Sequence, residues 1–326
     1  MTAKAYLDPS LNLRPARWSD LNAVAKLTHD VAVMEGDASF VLTAEELANE
    51  WKGEGFSVER DVFVVETRAG RVVGSEEFYS EQNHTKFKAD GCVHPEFRGL
   101  GIGTSLLEKV GERARAEMER AETDVRVVSQ SMINNKDDIA HTLLQAEGYS
   151  PIRYFWRMEI KLQESLPAVT FPAGIEVRPF LKEEHAIAVW QANNEAFRDH
   201  WGSHDSTYED WSHRIFGNPN FDPTLWMVAW DGDQVAGFSQ NRVRMGIGWI
   251  GTIGVRRAWR NTGLGLALLQ HSFGEFYKRG MKTIGLGVDA QNPTGATRLY
   301  KKAGMVPASE FVTYEKELRP SHNVDA

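Results

Sequence analysis

The 326-residue sequence contains a single cysteine, Cys92. One thiol cannot form a disulfide within the chain, so a crosslinked framework is excluded and a reducing cytoplasmic location is expected. Apolar runs are short, and none approaches the ~20 residues that a membrane-spanning helix needs. The first residues, MTAKAYLDPSLNLRP, lack the apolar stretch of a signal peptide. We therefore expect a cytoplasmic protein with no membrane partner.

Basic residues are in the minority and are not clustered. The chain has 37 Lys and Arg against 45 Asp and Glu, a formal net charge of −8. A protein that binds nucleic acid usually carries a basic face, and none is visible in this sequence. The 10 histidines show no paired spacing with Cys or carboxylates. Neither a nucleic-acid partner nor a bound metal is expected.

The sequence contains an internal repeat. LRPARWSDLNAVAKL matches VRPFLKEEHAIAVW, and DVFVVETRAGRVVGSEEF matches TLWMVAWDGDQVAGFSQN. Near the end of each half, GYSPIRYFWRMEIKL matches GMVPASEFVTYEKEL. The offset between matched positions stays nearly constant along the chain, which indicates a duplication with small deletions.

The repeat predicts two domains, at residues 1–162 and 175–319. Between them, residues 163–174 form a linker with two prolines, and residues 320–326 form a loose polar tail. The sequence pattern of each half predicts the same series of elements. The series is a strand, one or two helices, a strand pair, a strand, a glycine-rich turn, then helix, strand, helix and strand. This order indicates an α/β fold with a mixed sheet, whose parallel pair flanks the turn.

Each half has a glycine-rich turn between a strand and an apolar helix. The turns read Arg98-Gly99-Leu100-Gly101-Ile102-Gly103 and Arg260-Asn261-Thr262-Gly263-Leu264-Gly265. Glycine permits positive φ and close approach of backbone N–H groups, and the helix N-terminus adds about half a positive charge. The pattern predicts a cradle for a pyrophosphate. Neither turn matches the P-loop or the Gly-x-Gly-x-x-Gly dinucleotide fingerprint, and an ordinary left-handed turn is the alternative.

These residues resemble the acetyl-CoA loop of the GCN5-related N-acetyltransferases (GNAT). The resemblance runs from Val93 to Gly103 and recurs from Arg260 to Gly265, where Arg257 replaces the proline of the first copy. The segment from Asn292 to Met305 is similar to the family's Asn-x-x-Ala-x-x-Leu-Tyr segment. Because the motifs span both halves, we interpret the chain as a tandem GNAT protein, a layout that the mycothiol synthases also have.

The resemblance implies where acetyl-CoA binds. The strand before each turn splays from its parallel neighbour, and the pantetheine arm lies in the gap. There it pairs with the backbone near Cys92 and Val93, or near Ile253 and Val255. The resemblance also implies that Asn292 contacts the cofactor arm.

A proton donor for the departing CoA sulfur is implied in one half only. The resemblance assigns this role to Tyr300, with a ring packed in the core as the alternative. The equivalent position of the first half is Leu144, which cannot donate a proton. We therefore expect the C-terminal half to catalyse and the N-terminal half to be non-catalytic or degenerate, binding CoA for structure or regulation.

The general base is less apparent. Many family members carry an acidic residue on the fourth strand, but this sequence has Phe87 and Trp249 there. The alternative candidates Glu195, Asp199, His200, His204 and Asp205 lie in NNEAFRDHWGSHDSTYEDW, a segment predicted to cover the acceptor site. Histidine accepts a proton near neutral pH without tuning, although surface polar residues of a loop would give the same pattern.

Tryptophan is abundant in the second half. Trp201 and Trp249 are placed to line the acceptor pocket, which would suit a hydrophobic, aromatic or sugar-bearing amine; burial in the core is the alternative. We predict an acetyl-CoA-dependent N-acetyltransferase that acts on the primary amine of a small molecule by direct attack in a ternary complex. A mycothiol-synthase-like step on an aminosugar–cysteine conjugate, or a non-catalytic CoA-binding sensor or scaffold, are the alternatives.

Overall fold

The structure, a computed structural model, describes residues 6–38, 41–81, 83–163, 169–292 and 294–321. It divides into two compact units. The first contains the chain up to Arg153 together with the chain from Phe311 onward, and the second contains Tyr154–Glu310.

The first unit is a six-stranded mixed sheet with helices. Its elements are β1 (Leu11–Pro15), α1 (Leu21–Met34), α2 (Ala44–Trp51), α3 (Val58–Asp61), β2 (Val62–Thr67), β3 (Val72–Glu81), β4 (Lys86–Val93), α4 (Ile102–Met118), β5 (Val127–Asn134) and α5 (Asp138–Ala146). The strand order is β1-β2-β3-β4-β5, followed by the last strand of the chain, β12 (Val306–Arg319). Only β4 and β5 run parallel.

The second unit repeats this plan. Its elements are β6 (Ser150–Lys161), β7 (Ile175–Pro179), α6 (Lys182–Phe197), α7 (Tyr208–Phe216), β8 (Met227–Asp231), β9 (Gln234–Arg244), β10 (Ile247–Val255), α8 (Leu264–Lys278), β11 (Thr283–Asp289) and α9 (Ala296–Lys302). The strand order is β7-β8-β9-β10-β11-β6, with β10 and β11 parallel. The predicted mixed α/β sheet and its repetition are confirmed.

The final strand of each unit comes from an unexpected part of the chain. The sequence-based boundaries group residues 154–162 with the first half and residues 311–319 with the second. In the structure, Phe155–Lys161 pairs with β11, and Phe311–Arg319 pairs with β5. Both strands carry the same repeated sequence motif, so the local pattern that predicts a strand does not select its neighbour.

Both parallel pairs separate toward the glycine-rich turns, as predicted. β4 pairs with β5 from Lys86 to Ala89, whereas the ladder between β4 and β3 continues to Val93. In the second unit, β10 pairs with β11 at Gly248 and Trp249, and its ladder with β9 continues to Val255. Each sheet therefore opens into a gap directly before its turn.

Apolar clusters hold the helices against each sheet. In the first unit, Leu106 and Val110 of α4 are fully buried, and in the second unit Leu269, Phe273 and Phe276 of α8 form the largest cluster. Within the described residues, no helix combines the length and apolar character needed to cross a membrane.

Candidate active site

The first turn ends at a helix N-terminus that presents backbone N–H groups. Gly101 is the residue before α4 and has a φ of 75°, and a Cβ there would lie 2.3 Å from the carbonyl oxygen of Tyr6. Ser105 is the first residue whose N–H bonds back into the helix, to Gly101 at 3.1 Å. The N–H groups of Ile102, Gly103 and Thr104 have no acceptor within the helix, which is the backbone arrangement expected of a cradle for an anion.

The second turn has the same backbone shape without the same glycines. Asn261 has a φ of 64° and Gly263, which precedes α8, has a φ of 93°. Asparagine is one of the few side chains that adopt this conformation. The N–H of Ala267 bonds to the carbonyl of Gly263 at 3.1 Å, so the N–H groups of the first turn of α8 again form a cradle. The Thr262 hydroxyl closes the turn on the carbonyl of Trp259 at 2.7 Å.

Arg98, the arginine that begins the first turn, bonds to protein acids. Its Nη2 atom donates to Glu35 at 2.8 Å and to Asp137 at 2.9 Å. Burial, followed by the charge of Asp137, raises the pKa of Glu35 despite the contact with Arg98. Arg98 thus ties the turn to the end of α1 and the start of α5.

Arg260 has an equivalent position in the second unit. It donates to the carbonyls of Ala196 at 3.0 Å and Val255 at 3.3 Å, and to Asp199 at 3.3 Å. Because its donors are used within the protein, Arg260 serves to fix the turn, and the cradle itself is made of backbone N–H groups.

The strand edges expected to bind the pantetheine arm lie at the two gaps. Cys92 and Val93 pair with β3, and Ile253 and Val255 pair with β9, beyond the end of each parallel ladder. Burial and the charge of Asp90 raise the pKa of the Cys92 thiol. The thiol is therefore a wall of the gap and a poor nucleophile.

A cavity of about 500 Å³ lies beside the cradle of the first unit. Its walls include the first turn without Leu100, the end of α1, the start of α5, the middle of β3 and the end of β4. This volume is within the range of small-molecule sites. The half that was predicted to be non-catalytic or degenerate thus contains a cavity of this size.

Three carboxyl groups of this cavity were missed by the sequence analysis. Glu76 and Glu77 of β3 are 7% and 8% exposed, and Asp90 of β4 lines the same space. Burial, together with Asp90 and Glu77, raises the pKa of Glu76 to about 8. Burial raises the pKa of Glu77 to about 7, although the Tyr79 hydroxyl and the Trp51 indole donate hydrogen bonds to it. A pair of acids inside an otherwise apolar strand, VVGSEEFYS, was the available signal.

Tyr300 lies in the core of the second unit. It belongs to α9, is 7% exposed, and packs in the cluster that contains Phe273 and Leu269. Burial raises the pKa of Tyr300 to about 12, so the hydroxyl keeps its proton at neutral pH. Asn292 lies before α9, where its side-chain oxygen accepts from the N–H and the hydroxyl of Thr294.

The candidate bases of the second unit have different surroundings. Glu195 accepts from Arg256 at 2.7 Å and from the N–H of Arg257 at 3.2 Å. Burial raises the pKa of Glu195, but these donors outweigh burial and leave it below the ordinary value. Glu195 is thus a weak base that anchors the segment after β10. Asp199 and Asp205 are likewise in ion pairs, with Arg257 and Arg198.

The two histidines are not equivalent. His200 is partly buried, and its ring packs against Phe197 at 4.6 Å between centroids. Burial, followed by the positive charge of Arg260, lowers the pKa of His200, which favours the neutral form of the ring. His204 is exposed.

The two tryptophans expected at the acceptor pocket also differ. Trp201 is 40% exposed and packs on Phe155 at 6.3 Å. Trp249 is 3% exposed, and its ring lies against Gly285 on the neighbouring strand. Trp201 is accessible to a ligand, whereas Trp249 mainly fills the core.

Two protein-family models match the sequence. The model "Acetyltransferase (GNAT) domain" matches residues 59–151, and the model "Acetyltransferase (GNAT) family" matches residues 186–305. The matches fall on the two units and include both glycine-rich turns. The structural and sequence duplication therefore corresponds to two acetyltransferase domains.

Relatives with curated names are mycothiol acetyltransferases. The protein from Catenulispora acidiphila is 30% identical over 234 residues, which cover 70% of this chain and 71% of that protein. The protein from Thermobispora bispora is 31% identical over 231 residues, which cover 69% and 74%.

Solved structures show the same fold over nearly the whole chain. A GCN5-related N-acetyltransferase from Sphaerobacter thermophilus is 33% identical, with a TM-score of 0.81 and coverage of 98% and 99%. A tandem GNAT protein from the clavulanic acid biosynthesis pathway is 17% identical, with a TM-score of 0.73 and coverage of 95% and 99%. With its two cradles, its splayed sheets and these relatives, the chain belongs to the GCN5-related N-acetyltransferases, as an acetyl-CoA-dependent enzyme with two such domains in tandem.

Proposed function

We propose that this enzyme acetylates the primary amine of a small molecule, and that the amine attacks the thioester directly in a ternary complex. The observation that carries this proposal is the cavity of about 500 Å³ next to the first cradle. A site of this volume encloses a small molecule and excludes bulk water. The single thiol of the chain supports a cytoplasmic location as part of the same proposal.

The reaction makes three demands on the protein. Acetyl-CoA supplies the activated acetyl group; the backbone N–H groups before α4 and α8 fit its pyrophosphate. The acceptor amine must lose a proton, because an alkyl ammonium with a pKa of ~10.4 is almost fully charged at neutral pH. The departing thiolate is stabilised by a hydrogen-bond donor.

In the second unit we propose Tyr300 as that donor. A phenol whose pKa is about 12 is protonated throughout the physiological range, whereas a typical thiol has a pKa of ~8.5. Tyr300 therefore acts mainly by hydrogen bonding to the developing thiolate. The Asn292 oxygen is used by Thr294, which leaves its amide N–H₂ as the group that would contact the cofactor arm.

His200 is the base that we propose for the second unit. Burial and the charge of Arg260 lower the pKa of its ring, which favours the neutral form that can accept a proton, and its partial burial limits access of bulk water. Glu195 is held by Arg256 and Arg257, and His204 is on the exposed surface. These positions support His200 over the other two candidates, with Trp201 at the acceptor side.

The names of the relatives support a second candidate acceptor. Because mycothiol acetyltransferases are about 30% identical to this chain over two thirds of its length, an aminosugar–cysteine conjugate is the alternative substrate. Many family members have an acid on the fourth strand. This chain departs from that pattern, because the buried Trp249 occupies the position. A non-catalytic sensor is the remaining alternative.

Release of CoA thiol from acetyl-CoA, measured with a panel of amines, tests the proposal. We expect amine-dependent thiol release, with intersecting double-reciprocal plots when both substrates are varied. Parallel plots would replace direct attack with a covalent acetyl-enzyme. Binding of CoA with no release for any amine, the aminosugar–cysteine conjugate included, would identify a sensor.

A further inference from the structure

The cavity of the first unit is strongly acidic. Among its described lining residues, the acidic ones are Glu35, Asp37, Glu76, Glu77, Asp90 and Asp137, and Arg98 is the one basic residue. Arg98 already binds two of these acids, Glu35 and Asp137. Of the other four, Asp37 follows α1, and Glu76, Glu77 and Asp90 line the cavity from β3 and β4.

Glu76 is a buried acid without a protein partner. It is 7% exposed, and within the described residues it accepts no hydrogen bond and forms no ion pair. Its carboxyl lies against the backbone of Gly91, where a Cβ would be 2.3 Å from the Glu76 Oε2 atom. A buried carboxyl costs free energy unless it is paired, so a ligand with a donor is the natural partner.

The second unit shows that the fold does not require these acids. Gly74 pairs with Val93 in the first unit, and Gly237 pairs with Val255 in the second, which fixes the correspondence of the strands. By this register Glu76 corresponds to Ser239 and Glu77 to Gln240. Asp90, which is opposite Glu77, corresponds to Thr252, which is opposite Gln240. Neutral residues thus build the same strands, and the acids of the first unit are available for a ligand.

We infer that the first unit binds a dicationic amine in this cavity and acetylates it there, with the carboxyl groups of Glu76, Glu77 and Asp90 holding the two ammonium groups. This inference rests on the proposed function and places an acceptor site in the half that the sequence marks as degenerate. Alkyl diamines and diaminosugars have the required chemistry. A carboxylate-bearing amine would be repelled by the same walls.

The carboxyl groups of this site can accept the proton that the amine must lose before it attacks. One ammonium passes a proton to the Glu77 or Asp90 carboxylate, and the free nitrogen attacks the thioester carbon. The C–N bond forms as the C–S bond breaks, and the second nitrogen proton neutralises the departing thiolate. The carboxyl then returns its proton to water, so the sum is ammonium plus acetyl-CoA giving amide, CoA thiol and a proton.

Three four-carbon amines test the inference because they differ only at the far end. 1,4-Diaminobutane, 1-aminobutane and 4-aminobutanoate end in an ammonium, a methyl group and a carboxylate. For the full-length protein with acetyl-CoA we expect kcat/KM to decrease in that order, with about a tenfold or larger advantage of the diamine, the smallest effect expected for one charged hydrogen bond. Equal values, or a preference for 4-aminobutanoate, would overturn the inference.

Variants locate the site. Glu76→Gln and Glu77→Gln should each remove most of the diamine advantage, whereas Glu54→Gln, which neutralises an exposed acid of the same unit, should preserve it. A diamine advantage that survives Glu76→Gln and Glu77→Gln combined contradicts the inference.

Binding separates this inference from the proposed function. Calorimetry of 1,4-diaminobutane with the CoA-bound protein should show saturable binding that Glu77→Gln weakens about tenfold or more and Glu54→Gln leaves unchanged. If no amine is acetylated but this binding is observed, the proposed function fails while the cation site stands. If other amines are acetylated and the diamine does not bind, the inference fails alone.

Discussion

Glu77 and Asp90 are opposite each other on the adjacent strands β3 and β4, directly before the gap that leads to the first cradle. The corresponding pair of the second unit is Gln240 and Thr252. The two domains therefore keep one backbone plan and differ in charge at this pair of positions. Their acceptors should differ accordingly, and the predictions below separate their contributions.

Glu76→Gln should stabilise the protein at alkaline pH. The pKa of Glu76 in the folded state, about 8, is above the ordinary value of 4.5. Between pH 4.5 and pH 8 the folded state therefore keeps a proton that the unfolded state has lost. Stability from this proton is present below pH 4.5 and is lost as pH rises toward 8. Denaturant unfolding at pH 5 and pH 8.5 should show a smaller loss of the free energy of unfolding in the variant, by up to a few kcal/mol. An unchanged pH dependence, as expected of Glu54→Gln, would show that Glu76 ionises normally.

Tyr300→Phe should lower the turnover of an acceptor that the second unit uses. An acceptor of the second unit can be identified experimentally because its acetylation rate is the same in Glu77→Gln as in the wild type. With it, kcat should fall about 10²-fold or more because the thiolate loses its donor, while the KM for acetyl-CoA changes little. Substitution of Tyr277, on α8, by Phe is the matched control and should leave kcat unaltered. A normal kcat in Tyr300→Phe would exclude the role.

Gly91→Ala should damage the site of the first unit. Its Cβ would lie 2.3 Å from both the Glu76 carboxyl and the carbonyl oxygen of Ser75, and the backbone contact cannot move away cheaply. We expect about 1–3 kcal/mol of destabilisation and weaker diamine binding. Gly274→Ala is the control, because no atom lies within 4 Å of its Cβ position on α8 and alanine favours the helix by roughly 0.5–1 kcal/mol. Thermal unfolding and calorimetry should show opposite signs for the two variants.

Gly99→Ala and Gly263→Ala should reveal how many CoA molecules bind. Both positions have positive φ and open space at the Cβ position, so the added methyl strains the turn by roughly 1–2 kcal/mol and blocks approach to the cradle. We expect two equivalents of CoA in the wild type and one strong site in each variant, measured by calorimetry. A single equivalent lost only in Gly263→Ala would mean that the first cradle does not bind CoA.

The turns could be predicted because their signals are local, and the gaps were implied by the family resemblance. Arginine, glycine and an apolar helix follow one another directly, so Arg98 and Gly101 indicate the cradle without knowledge of distant residues. The parallel pair followed from chain order and handedness. The duplication strengthened the predictions of the turn and of the parallel pair, since the same short pattern appears twice.

The acidic cavity and the strand partners could not be predicted in this way. Glu76, Glu77 and Asp90 come together through the register of β3 and β4, and burial of Glu77 depends on Trp51 of a distant helix. Glu195 is a weaker base than its position in the sequence indicates because Arg256, 61 residues away, binds it. Each of these outcomes is set by contacts between elements, which a periodic pattern does not specify.

The strand Phe311–Arg319 completes the first unit, and Phe311 also lines its cavity. A ribosome therefore releases the second unit in full before it delivers the segment that closes the first. During synthesis, the β5 edge of the first unit stays unpaired until this last strand has been made. A messenger RNA truncated after codon 310 would therefore destabilise the N-terminal domain, although it still encodes all the earlier strands of that domain.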